Sequence, residues 1–169
     1  MTAGTIRRTV AGEAATQLIL ATFRTSGLLL AAGDVLASDQ GLTAARWQVL
    51  GALSLADRPL TVPQIARRMG LTRQSVHATV NRLAGDGLLE LVPNADHLRS
   101  QLVQLTEPGR ETYAAVDTRQ AAWVNRLSDG IDPDHIQTAA WVLQELGRRL
   151  EAAAAGDGEP EVRSKGRDR

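Results

Sequence analysis

Residues 61–83, TVPQIARRMGLTRQSVHATVNRL, contain the local signals that decide the fold. Thr61 and Gln64 have the spacing of a capping box, in which a threonine side chain and a glutamine three residues later satisfy the first amides of a helix. The apolar residues that follow have the 3,4 spacing of one helical face, and Gly70 stands where a left-handed residue ends a helix. The pattern therefore predicts a short helix that stops at residue 70.

A second helix is predicted immediately afterwards. Thr72 is placed to cap it, and the Asp-Gly pair at 86–87 is placed to end it. The inward positions of this helix are Val76, Val80 and Leu83. Two helices joined by a turn of about three residues that contains glycine form a helix-turn-helix motif.

Two short β-compatible runs, residues 88–92 and 101–105, follow the second helix. The segment between them is polar and rich in turn-forming residues, which predicts a hairpin with a longer loop. A hairpin directly after a helix-turn-helix is a wing. Residues 41–110 are therefore predicted to form a winged helix-turn-helix lobe within a mainly α fold.

Further helical patterns lie before this lobe and at its start. Residues 10–36 predict a long helix, residues 1–40 are assigned to an N-terminal dimerisation helix, and Thr43 is placed to cap a shorter helix that runs to about residue 54. The buried stripe of the long helix is expected at Leu18, Ala21, Leu28, Leu29, Ala32 and Leu36.

Residues 111–155 are predicted to form C-terminal dimerisation helices, with Thr106 capping the first of them. Two apolar stripes step by 3 and 4 residues, as in the seam of a coiled coil. The first stripe is Tyr113, Val116, Gln120, Trp123 and Leu127, and the second is Ile136, Ala139, Leu143, Leu146 and Leu150. Residues 156–169 are polar and charged and are predicted to form a disordered tail.

Composition excludes several classes of function. The 169-residue chain has 19 basic and 19 acidic side chains and no cysteine, which removes disulfides, thiolate zinc sites and cysteine nucleophiles. Its three histidines are scattered, and no phosphate loop or nucleophile elbow is present. We therefore expect no metal, no cofactor and no catalytic site. No apolar run approaches the roughly eighteen residues of a membrane span and no signal-peptide order is seen, so we expect a cytoplasmic chain without a membrane partner.

The charges favour a nucleic-acid partner. Residues 58–85 contain five arginines and no acid. The outward face of the second helix carries side chains suited to major-groove contacts, because arginine pairs with guanine and the amides of glutamine and asparagine pair with adenine. The predicted DNA contacts are Thr72, Arg73, Gln74, Ser75, His77, Ala78, Asn81 and Arg82, together with Thr61 and Gln64. The alternative for this face is an ordinary solvated helix surface.

The order of these elements resembles the MarR family of winged helix-turn-helix transcriptional regulators. The resemblance lies in four segments. Residues 42–50 resemble the helix that leads into the helix-turn-helix, and residues 71–83 resemble the recognition helix. Residues 86–89 resemble the entry to the wing, and residues 101–109 resemble the strand and helix start that follow the wing. It implies a homodimer on a pseudo-palindromic DNA operator. It also implies repression that is relieved when a small aromatic or phenolic ligand binds between the dimer helices and the DNA lobe.

Two residues acquire roles from this resemblance. Arg99 corresponds to the wing arginine that enters the minor groove, although the aspartate that usually precedes it by two positions is replaced by His97, with Asp96 one position early. A weaker or differently oriented wing contact is therefore left open. Trp47 corresponds to the ligand junction, with a core position as its alternative. A winged helix that serves protein contact, and an enzyme with an unrecognised site, are the two rival functions.

Overall fold

The computed structural model describes residues 7–95, 97, 100–154 and 156, in two compact units that divide between Trp123 and Val124. The order of elements is α1 (Val10–Ala37), a 3₁₀ turn (Ser38–Gln40), α2 (Ala44–Ser54), β1 (Leu60–Thr61), α3 (Val62–Met69), α4 (Arg73–Gly85), β2 (Leu89–Val92), β3 (Leu102–Leu105), α5 (Glu107–Leu127) and α6 (Pro133–Ala154). This mainly α arrangement with a small sheet is the predicted fold class.

The predicted helix ends are confirmed. The Thr61 hydroxyl oxygen accepts a hydrogen bond from the backbone N–H of Gln64, and the side-chain oxygen of Gln64 accepts one from the backbone N–H of Thr61. Both halves of the capping box are therefore formed. Gly70 ends α3 with a φ of 63°, a left-handed conformation that glycine adopts without steric cost. Thr72 then caps α4 by accepting from the Ser75 amide. These local contacts set the helix-turn-helix geometry.

The wing hairpin is present, but the sheet has one strand more than expected. β2 and β3 pair antiparallel, with Leu89 opposite Leu105 and Val92 opposite Leu102. β1 pairs with the other edge of β3, so the order is β1-β3-β2. β1 has only two residues, which is too short for an alternation of apolar and polar side chains to predict a strand from the sequence. It forms because β3 offers a free edge next to the start of α3.

The core of the first unit lies between α2, α3, α4 and the sheet. Leu50, Leu60, Ile65 and Val103 are fully buried there, and Val116 adds a contribution from α5. The three inward residues predicted for α4 are also buried: Val76, Val80 and Leu83. Removing such side chains from water contributes about 1.5–3 kcal/mol each, which anchors α4 by one face and leaves its other face outward.

The buried stripe predicted for α1 is wrong for the single chain. Only Gly33 and Ala37 are buried in this helix, whereas Leu28 and Leu29 are exposed. A Cβ on Gly33 would lie 2.9 Å from the Cβ of Ala44, so α1 approaches α2 closely at this point. The earlier turns of α1 contain no buried residue.

The expectation that no segment could span a membrane is also wrong as stated. The stretch Val10–Gln40 is long and apolar enough to do so by length and composition, with a mean hydropathy of 1.4 in an 18-residue window that is 6% buried. The sequence contains no uninterrupted apolar run of that length, but alanine keeps the mean hydropathy high between the leucines. Helices covered by another protein surface meet the same criterion.

The α5 stripe, predicted to form a coiled-coil-like seam, belongs partly to the core. Val116 is buried and Tyr113 packs against the core of the first unit. In the second unit, by contrast, α6 has no buried residue: Ile136, Leu143 and Leu150 are all exposed. Hydrogen bonds from Arg148 and Arg149 lower the pKa of the Glu145 carboxyl to about 2. The predicted tail, apart from Gly156, lies outside the described residues.

Candidate nucleic-acid interface

The outward face of α4 contains all eight groove-compatible residues predicted from the sequence on this helix. Each of them is exposed: Thr72, Arg73, Gln74, Ser75, His77, Ala78, Asn81 and Arg82. The helix presents them because Val76, Val80 and Leu83 fix its opposite face in the core. A helix held by one face and open along the other has the shape that enters a major groove.

The N-terminus of α4 is suited to a phosphate. The Thr72 hydroxyl oxygen accepts from the Ser75 amide at 3.2 Å, which fixes the first turn, and no acid lies in that turn. Unpaired amides and the helix dipole make a helix N-terminus weakly positive. Thr72 and Ser75 therefore lie where a phosphate oxygen would approach, while the residues further along α4 lie where base edges would be.

The charge around α4 is positive. Arg67 and Arg68 in the last turn of α3 are exposed, as are Arg73 and Arg82 on α4. The first acid beyond this region is Asp86, and its carboxylate is paired with the guanidinium of Arg46. The basic side chains of α3 and α4 are thus left without a neighbouring carboxylate in sequence.

The Arg46–Asp86 ion pair was not identified from the sequence. Arg46 lies on α2, its side chain is 16% exposed, and it also donates to the carbonyl oxygen of Gly41 at 3.1 Å. Asp86 is the C-cap of α4. The pair therefore joins the end of the candidate recognition helix to the start of α2. The two residues are 40 positions apart, so no local pattern could have indicated the contact.

Thr61 and Gln64 occupy a different position from the α4 residues. Both are half-buried, and their side-chain oxygens are engaged in the capping box at the start of α3. The hydroxyl hydrogen of Thr61 and the amide hydrogens of Gln64 are the groups that could still reach a phosphate. Arg99, the predicted wing contact, lies outside the described residues, as do Asp96 and Leu98.

A cavity of about 740 Å³ lies behind the helix-turn-helix, between α2, α3 and α5. Its lining comprises Trp47, Gln48, Gly51, Ala52, Leu55, Arg68, Met69, Tyr113, Asp117 and Gln120. Trp47 is thus both packed against the core and part of the cavity wall. Of these residues, only Trp47 is a ligand contact predicted from the sequence. The other lining residues come from three separate helices and share no sequence motif.

The polar residues that line this cavity include both hydrogen-bond donors and hydrogen-bond acceptors. The indole Nε1–H of Trp47 is buried and has no hydrogen-bond partner in the part of the chain that the structure describes. The Tyr113 hydroxyl donates to Asp117 at 3.3 Å, and burial together with the Asp117 carboxylate raises the pKa of Tyr113. Gly51 lets this ring approach, because a Cβ there would lie 3.2 Å from Tyr113 Cε2.

Histidine and carboxylate side chains form no group of three or more that could hold a metal ion anywhere in the described ranges 7–95, 97, 100–154 and 156.

Comparison with known proteins agrees with this architecture. The family model of the MarR family matches residues 40–100. A protein of Mycobacterium tuberculosis described as uncharacterized is 43% identical over 136 residues, which cover 80% of this chain and 94% of that protein. The transcriptional activatory protein BadR of Rhodopseudomonas palustris is 30% identical over 154 residues, 86% of each chain.

Solved structures show the same fold. AbsC, a MarR family transcriptional regulator from Streptomyces coelicolor, has a TM-score of 0.71 at 21% identity and covers 88% of this chain and 99% of its own. CouR from Rhodococcus jostii, bound to p-coumaroyl-CoA, scores 0.68 at 23% identity with 75% and 88% covered. A mutant MarR from E. coli complexed with operator DNA scores 0.62 at 21% identity with 76% and 94% covered. The chain belongs to the MarR family of DNA-binding transcriptional regulators.

Proposed function

We propose that this chain is a cytoplasmic, homodimeric repressor that binds a pseudo-palindromic operator through α4 and leaves it when a small aromatic or phenolic ligand occupies the cavity. The observation that carries the proposal is the composition of α4. Eight exposed residues with groove-compatible side chains occupy one face, and the opposite face is buried. An ordinary solvated helix has no need of an acid-free surface, whereas a helix against phosphates does.

Dimerisation is supported by the exposed apolar residues of two helices. In α1, Leu20, Phe23 and Leu28 are all more than 60% exposed. In α6, the predicted seam contains no buried residue. Large apolar side chains left exposed along a helix favour an association site. A two-fold dimer would place two copies of α4 about 34 Å apart, one turn of DNA.

Ligand control is supported by the position of the cavity. Its wall includes Arg68 and Met69, in the last turn of α3, which leads through Gly70 into α4. It also includes Tyr113 on α5. A ligand that fills the cavity would therefore contact the helix-turn-helix and α5 together, so its binding energy can favour one arrangement of α4 over another. CouR, which shares the fold, has been crystallised with an acyl-CoA.

We propose that the chain represses transcription, because a protein bound to an operator excludes other proteins from that DNA. The relative BadR is described as activatory, so activation is the concrete rival. Transcription in vitro from a promoter that contains the operator, with and without the protein, decides between them. A lower transcript yield supports repression, and a higher yield refutes it.

The test of DNA contact uses an operator selected from randomised duplexes by the wild-type protein. Arg73→Ala should weaken binding to that operator by about 1–3 kcal/mol, and binding to random duplex by less. Arg126→Ala is the matched control, because Arg126 is also exposed but lies near the end of α5. Equal losses on both duplexes would reduce Arg73 to a phosphate contact. If Arg126→Ala lost as much operator affinity as Arg73→Ala, α4 would have no special role in DNA binding.

A further inference from the structure

Two polar side chains on the outward face of α4 are already joined in the free protein. The Asn81 amide nitrogen lies 3.3 Å from Nδ1 of His77, one turn earlier, and both residues are exposed. We infer that His77 orients the carboxamide of Asn81 and thereby makes α4 select an A·T base pair at one operator position. This inference rests on the proposed contact between α4 and DNA and specifies what part of that contact recognises.

The hydrogen bond determines which groups of Asn81 remain free. An amide nitrogen that donates to Nδ1 requires a lone pair there, so the imidazole proton is on Nε2. Asn81 then retains its second amide hydrogen as a donor and its Oδ1 as an acceptor. Adenine offers the complementary pair in the major groove, an acceptor at N7 and a donor at N6. A carboxamide turned by 180° would place Oδ1 against Nδ1 and would require the imidazole proton there, so the opposite donor and acceptor order belongs to the other tautomer of His77.

Ala78 adds a second element to the same contact. It lies three residues before Asn81 and so shares its face of the helix, and its side chain is exposed. A methyl group there can contact the C5-methyl of the thymine paired with the adenine. His77 in turn keeps Nε2–H as an outward donor, which fits a purine N7 or a guanine O6 at a neighbouring position.

The pair is also ordered before DNA arrives. A free asparagine side chain loses rotational freedom when it binds a base, and that loss weakens the selective contact. The bond to His77 removes part of this freedom in advance. His77 therefore acts as a positioning residue for Asn81, and its removal should reduce selectivity at a base that the imidazole itself does not touch.

The experiment measures base preference, since total affinity would not separate positioning from phosphate contact. Wild-type protein selects an operator from randomised duplexes, and each position of one half-site is then changed in turn to all four base pairs. Asn81→Ala identifies the position that Asn81 reads, as the one where the preference for A·T falls by about fivefold or more. His77→Ala should lower the preference at that same position, while His77→Gln, which keeps an acceptor for the Asn81 amide, should restore most of it. Arg126→Ala, on α5, is the control and should leave the preference at this position unchanged.

The double variant shows whether His77 and Asn81 recognise the base pair together or through two independent contacts. His77→Ala with Asn81→Ala should lose no more preference at this position than Asn81→Ala alone, because the unit is already broken. An unchanged preference in His77→Ala, or losses that add, would overturn the inference while leaving DNA recognition by α4 intact. A wild-type protein that selects no sequence would overturn the proposed function itself.

Discussion

Substitution of Gly109 by alanine should destabilise the first unit at the base of the wing. Gly109 is buried in the first turn of α5, and a Cβ there would lie 2.0 Å from the carbonyl oxygen of Leu88, which is backbone. Real Cβ atoms essentially never come within 3.0 Å of another heavy atom, so one of the two segments must move by about 1 Å or more. The same carbonyl accepts from the Thr106 amide, and the Thr106 hydroxyl donates to Gly87 at 2.7 Å.

The magnitude follows from these contacts. Overpacking a filled site costs about 1–3 kcal/mol, and loosening two hydrogen bonds adds about 1 kcal/mol for each. Alanine regains about 1 kcal/mol of helix propensity. We therefore expect Gly109→Ala to lower the free energy of unfolding by about 2–4 kcal/mol, a large part of the 5–15 kcal/mol of a typical domain. In a chain of this size the melting midpoint should fall by roughly 5–12 °C.

Gly85→Ala is the matched control for this prediction. Gly85 also lies in a helix of the first unit, but no atom would come within 4 Å of a Cβ there. The free energy of unfolding of the Gly85→Ala protein should stay unchanged or rise by up to about 1 kcal/mol. Urea and thermal unfolding followed by circular dichroism, at one protomer concentration, compare the variants. A Gly109→Ala protein as stable as the wild type would refute the close approach of α5 to the wing base.

Three further outcomes are expected. Arg99→Ala should weaken operator binding most where the flanks are rich in A·T pairs, because a narrow minor groove concentrates negative potential; equal loss across flanks would exclude a minor-groove role. Leu143→Asp should yield a folded monomer with weak operator binding in sedimentation and circular dichroism, since a carboxylate in an apolar seam costs several kcal/mol; an unfolded chain would mean that the stripe packs within the monomer. Asp86→Asn should cost about 1–2 kcal/mol of stability by leaving Arg46 without its carboxylate, and an unchanged unfolding midpoint would count against this tether.

Short-range signals made most of the DNA lobe predictable. Thr61, Gly70 and Thr72 act through contacts within four residues of themselves, so their spacing in sequence is sufficient to predict the start and end of α3 and the start of α4. The inward face of α4 could also be predicted from the sequence, because helical periodicity determines which side chains share a face. The eight candidate DNA contacts follow directly from that assignment.

Long-range features could not be predicted in the same way. β1 exists because β3 lies beside it, and Arg46 meets Asp86 only after the chain has folded. The stripe predicted for α1 is not buried in the single chain, because apolar periodicity indicates that a face will be covered without indicating by what. The cavity combines residues of α2, α3 and α5, so only Trp47 could be suspected from the sequence.

The most direct test of the account compares the affinity of the wild-type protein for its selected operator with that for a scrambled duplex of equal length and composition, at one fixed salt concentration. The account predicts that the operator is bound at least about 10³-fold more tightly, as specific DNA-binding proteins require. Equal affinity for the two duplexes, with the same dependence on salt, would show a basic surface that holds phosphates only. That result would contradict sequence-specific recognition by α4.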